Sequence, residues 1–158
     1  MTMQSGYQTP QNLLASGVEN HVDFEQLIYG TNDVVKQLND TFRNALNRYM
    51  SDSGIGTKKL SKLTGIAPST ITRYCNDTGR LTADHLYAIC IALKLKPCQQ
   101  RHLLVLAELV MPDERGGGKK RAFIIRDHLD GCSFDDRFTV ASFNPQLNIM
   151  QCPPLTTL

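Results

Sequence analysis

The chain has 158 residues, 41% of them hydrophobic and 20% charged, with a formal net charge of +2. That mix suits one packed core with appendages and excludes wholesale disorder. No apolar run approaches the roughly 20 residues of a membrane helix, and "MTMQSGYQTP" lacks the basic start and apolar core of a secretory signal, so a cytoplasmic protein is expected.

Residues 1–31 are polar and punctuated by Gly6, Pro10, Gly17 and Gly30, which suggests a partly flexible arm with one short helix near "VDFEQLIYG". From Asn32 an apolar stripe begins. Val34, Val35, Leu38, Phe42, Ala45, Leu46 and Tyr49 recur at three- and four-residue intervals, predicting an amphipathic helix capped by Asn32 or Asp33 and stopped by "SDSGIG". Thr57 then opens a short helix with Leu60 and Leu63 inward. Gly65 ends it in the left-handed conformation that glycine reaches without steric penalty, and Ile66 plugs the turn.

Pro68 suits a first helical turn, where its missing N–H is no loss. Ile71 and Tyr74 anchor this next helix, leaving Ser69, Thr70, Thr72, Arg73 and Asn76 on its open side until "NDTG" closes it. A helix from Thr82 turns Leu86, Ile89, Cys90 and Leu93 inward, and another runs from Cys98 to about Met111 with Leu103, Leu104, Leu106, Ala107 and Val110. Residues 112–121, "PDERGGGKKR", read as a glycine-rich linker with a basic end. Residues 122–158 then hold one helix to about Asp130 and a second from about Thr139. No segment shows strand alternation, so the fold class is all-α.

Short helix, glycine turn and short helix within about twenty residues make a helix-turn-helix. "LSKLTGIAPSTITRYCND" with "LTADHLYAICIALKL" resembles the lambda-repressor-like, or Cro/C1-type, DNA-binding family, and its turn is similar to that of the lac-repressor headpiece. The resemblance covers about residues 33–110. It implies a five-helix domain over 32–111 that regulates transcription in a bacterium, phage or mobile element, with 68–76 as recognition helix in the major groove of double-stranded DNA. Thr57 stands where the family often has a glutamine that braces the DNA backbone, and Pro68 and Ser69 replace the long base-reading side chains of many members. Short hydroxyls fit several base edges, so the operator is not legible in this helix.

Charge distribution supports that reading. Residues 1–42 carry one base against five acids, residues 43–102 ten against three, and residues 103–158 six against seven. The basic excess coincides with the motif, as an electrostatic footprint for phosphate would. The expected DNA-binding residues are therefore Thr57, Lys58, Lys59, Pro68, Ser69, Thr70, Thr72, Arg73, Asn76 and Arg80, of which the basic ones position and the hydroxyls read.

No nucleophile elbow, P-loop or zinc-hydrolase pattern occurs, so no catalysis and no cofactor are expected. The alternative is an adaptor or antitoxin-like module using the same helical fold for protein contacts. Five cysteines at irregular spacing give neither a disulfide framework nor a CxxC pair, and Cys98 with His102 is too little for a metal site. Segment 122–158 is richer in apolar residues than two isolated helices need. Phe123, Ile124, Phe134, Phe138 and Phe143 are the expected homodimer surface, the alternative being that they fold back on Leu103, Leu106 and Val110.

Overall fold

The computed structural model describes residues 40–112 and 118–158. Within them lie helices α1 (Phe42–Ser53), α2 (Thr57–Thr64), α3 (Pro68–Cys75), α4 (Ala83–Ala92), α5 (Pro97–Leu106), α6 (Gly118–Gly131) and α7 (Val140–Ile149). No strand occurs among the described residues, and the fold is all-α. No helix described is long and apolar enough to cross a membrane.

Helix α4 is the axis of the packing. Leu86 through Ala92 are all buried without interruption, so the helix is apolar around its whole circumference and needs cover on every side. Helices α2, α6 and α7 all pack against it. One hydrophobic core runs from Leu46 and Leu60 through Ile89 to Ile125, Leu129, Phe143 and Leu147. The segment after Met111 therefore shares the core of the helices before it.

Several expectations are corrected. The stripe from Asn32 is not one continuous helix, because Thr41 is extended at φ −117° and ψ 157° and its hydroxyl accepts from the Asn44 N–H as the N-cap of α1. Val34, Val35 and Leu38, like the arm and its short helix, lie outside the described residues. Helix α5 stops at Leu106 rather than Met111. Glu108 turns left-handed at φ 56°, the Leu109 N–H returns to the Leu104 carbonyl at 2.9 Å, and the Tyr87 hydroxyl takes the Val110 carbonyl at 2.6 Å. Val110, expected inside, is exposed.

The basic end of the linker is also helical, since α6 starts at Gly118. Arg121 is buried, with its guanidinium 2.9 Å from Asp84 at the start of α4 and 2.9 Å from the Pro153 carbonyl. Of the five aromatic and aliphatic residues expected at a dimer surface, Phe143 is fully buried in its own chain's core. Ile124 and Phe138 pack partly against that core, while Phe123 and Phe134 face solvent. Helix α7 lies on α2 and α4, which accounts for the inward residues.

Buried polar groups join the pieces. Gln100 donates to the Leu95 and Leu129 carbonyls, tying α5 to the end of α6. Asn144 on α7 donates to the carbonyl and hydroxyl of Thr156 at 3.1 and 3.0 Å and accepts from the Leu155 N–H at 2.9 Å. The Thr156 hydroxyl in turn donates to the Thr64 carbonyl at the end of α2. The Tyr49 hydroxyl lies 2.6 Å from Nδ1 of His102, which joins α1 to α5.

Two predictions follow from these buried groups. Asn144→Ala orphans the Leu155 N–H and frees the tail, so urea unfolding should show a loss of about 2–4 kcal/mol, and amide exchange at residues 155–158 should accelerate. Burial holds the His85 and His102 imidazoles below their ordinary pKa, with Asp84 and Asp40 only partly opposing it. As pH falls below about 6.5 the unfolded chain takes up these protons before the folded one does. Stability is therefore full above that pH and declines toward pH 5, and His102→Gln should flatten the decline in a urea-midpoint scan.

Candidate nucleic-acid interface

Helices α2 and α3 pack against each other around the turn at Gly65, which sits at φ 80°. A side chain there would strain the backbone and meet Leu158 at 2.7 Å. The turn is stitched by short bonds. Ser61 donates to the Ile66 carbonyl at 2.7 Å, and the Thr64 hydroxyl donates to the Leu60 carbonyl while accepting from the Ile66 N–H. Ile66 is buried and fixes the angle between the two helices.

Apart from Arg73, the eight residues of α3 are middling or poor helix formers. Ile71 and Tyr74 are buried, as expected. The Tyr74 hydroxyl lies 2.7 Å from Nδ1 of His85 on α4. At the other end, Asn47 on α1 donates to the Cys75 carbonyl at 3.0 Å, and the Thr78 N–H returns to the Arg73 carbonyl at 2.9 Å. The helix is thus held by α1 and α4, with its outer face left open.

Pro68, Ser69, Thr72, Arg73 and Asn76 are exposed on α3 and its C-cap. Lys58 and Lys59 are exposed on the first turn of α2, Thr57 is half-buried, and Arg80 is exposed in the loop before α4. Neither α2 nor α3 has a side-chain N-cap bond, since Gly56 and Ala67 stand at those positions. Their first-turn N–H groups therefore remain as donors without a capping side chain.

Thr70 differs from its neighbours. It is half-buried and lines a cleft of about 380 Å³ with Ala67, His85 and Pro154 to Thr157, so it turns toward the C-terminal tail rather than the open face. Its hydroxyl accepts from the Arg73 guanidinium at 3.2 Å. Thr72 donates to the Pro68 carbonyl at 3.0 Å, so part of its hydrogen-bonding capacity is already used. The tail beside α3 has no periodicity that marks it in the sequence. Its only signal is Pro153-Pro154 ahead of Leu155.

No curated protein and no solved structure matches the chain. A family model does, over most of α1, all of α2, α3 and α4 and the first residues of α5, and it includes the elements that carry the glycine turn and the exposed hydroxyl face. Residues 45–99 match the family model of the Cro/C1-type HTH DNA-binding domain.

Proposed function

We propose that the protein is a sequence-specific transcriptional regulator that lays α3 in the major groove of double-stranded DNA. The observation that carries this reading is the outer face of α3. Ser69, Thr72, Arg73 and Asn76 are exposed on a helix fixed from behind by Ile71, Tyr74 and the Asn47 bond. A groove roughly 12 Å wide admits a helix with such short side chains closely. Lys58, Lys59, Arg73 and Arg80 contact phosphates, Thr57 takes a backbone contact at the uncapped start of α2, and Pro68 lets the chain approach. Ser69, Thr72 and Asn76 meet base edges, and Thr70 acts at the margin by orienting Arg73.

In this reading the protein works as a homodimer through the outer face of its C-terminal helices. Ile124, Gln146, Ile149 and Met150 line a cleft of about 270 Å³. Ile149 in that lining and Phe123, the neighbour of Ile124 in sequence, are 79% and 73% exposed, an arrangement that a second copy would cover. Two copies would present two recognition helices to half-sites about 34–36 Å apart.

Operator selection from random duplexes, followed by titration over a range of salt, tests the first part. Arg73→Ala should weaken specific and nonspecific duplexes alike and lower the salt slope by about one. Ser69→Ala should change the preferred sequence at about 1–3 kcal/mol per lost contact, and equal affinity of both variants for all duplexes would refute the assignment. For the dimer, sedimentation of Phe123→Asp/Ile149→Asp at micromolar concentration should give a monomer with an intact helical spectrum. A wild type that is already monomeric and binds one half-site would refute it.

A further inference from the structure

The last carbonyls of an α-helix find no partner within it. At the end of α2 one of them, that of Thr64, accepts from the Thr156 hydroxyl, which belongs to the tail far outside the matched domain. Both residues are buried. Thr156 is itself held, since the Asn144 amide donates to its hydroxyl at 3.0 Å and to its carbonyl at 3.1 Å, while Asn144 accepts from the Leu155 N–H at 2.9 Å. Upstream, the Pro153 carbonyl accepts from Arg121, whose guanidinium also pairs with Asp84 at the start of α4. The tail is thus a strap anchored at α4, α6 and α7. Beyond Thr156, the Leu158 Cβ lies 2.7 Å from where a Cβ on Gly65 would be, and Pro154 to Thr157 line one cleft with Ala67 and Thr70. The end of α2, the turn and the start of α3 all have the tail as a neighbour.

We propose that Thr156 is a positioning residue for base reading: with Leu158 behind the turn, its hydroxyl fixes where α3 stands relative to α2. This inference rests on the DNA-binding reading above. Thr156 is buried against Thr64, away from the exposed Ser69, Thr72, Arg73 and Asn76, so it acts through the turn rather than on the duplex. Phosphate contacts from lysines on long flexible stems tolerate a small shift of α2. Base contacts from Ser69 and Thr72 do not, because short side chains cannot follow a groove once their helix is displaced by more than about 0.5 Å. Loss of the Thr156 bond therefore removes sequence discrimination and leaves phosphate binding in place.

The test uses the full chain and the ratio of its affinities for the selected operator and a scrambled duplex, at a temperature where each variant keeps the wild-type helical spectrum. Thr156→Val keeps the shape and removes the donor. It should lower the ratio about tenfold, the size of one lost base contact, with scrambled-duplex affinity and the salt slope unchanged. Thr156→Ser restores the hydroxyl and should restore the ratio. Leu158→Gly, at a side chain 44% exposed, empties the space behind Gly65 and should lower the ratio in the same way. It decides the matter if Thr156→Val does not fold. A purely structural role predicts no such split, because partial unfolding lowers both affinities together. Folded variants that keep the wild-type ratio, or lose both affinities equally, overturn the positioning role and leave the helix-turn-helix reading intact. A wild type with no preference for the selected operator overturns both.

Discussion

Everything else in this protein follows from a helix that cannot face water. Seven consecutive buried residues of α4 place apolar side chains on all its sides, and no two-helix motif can cover a cylinder of that kind. Helix α2 covers one side, and α6 and α7 cover others. The C-terminal segment is consequently part of the fold that holds α2, α3 and α4 together. Its buried residues add apolar area at about 25 cal/mol per Å², and a short helical domain gains proportionately from it.

The same packing connects the tail to the turn. Leu158 lies where a side chain on Gly65 would go, the Thr156 hydroxyl donates to the carbonyl of Thr64, the last residue of α2, and Asn144 organises both from α7. A glycine turn alone is a flexible joint. Closed from behind by the tail, it fixes the angle between α2 and α3 and with it the relative placement of Lys58 and Ser69.

How much of this was legible in the sequence depends on the range of the interaction. Gly65, Pro68, Ile66, Ile71 and Tyr74 act on neighbours within a few residues, so their spacing disclosed the turn, the helix starts and the anchors. The reading of α4 gave it a single inward face. Tyr87, Ala88 and Ile91 are buried as well, on a helix that α2, α6 and α7 all pack against, and cover from distant segments is something periodicity cannot register. Arg121 looked like part of a basic linker for the same reason, its partner Asp84 being 37 residues distant. The exposed hydroxyl set was read correctly at Ser69 and Thr72 but not at Thr70, whose cleft is walled by the tail. The exposed Phe123 and Phe134 and the buried Phe143 illustrate the limit. Apolar surplus announces that a surface must be covered without saying by which part of which chain.

The composition of α3 then has a physical explanation. An isolated helix of eight residues is unstable in water, more so with a proline, three β-branched residues and a serine among them. Its conformation is imposed from outside: Pro68 sets the first turn, Ile71 enters the core, Tyr74 meets His85, and Asn47 holds the Cys75 carbonyl. Because none of these supports uses Ser69, Thr72 or Asn76, the open face carries no duty to stabilise the helix. Its residues can be small and polar at little cost to folding. That freedom leaves Ser69, Thr72, Arg73 and Asn76 together on the open face of α3.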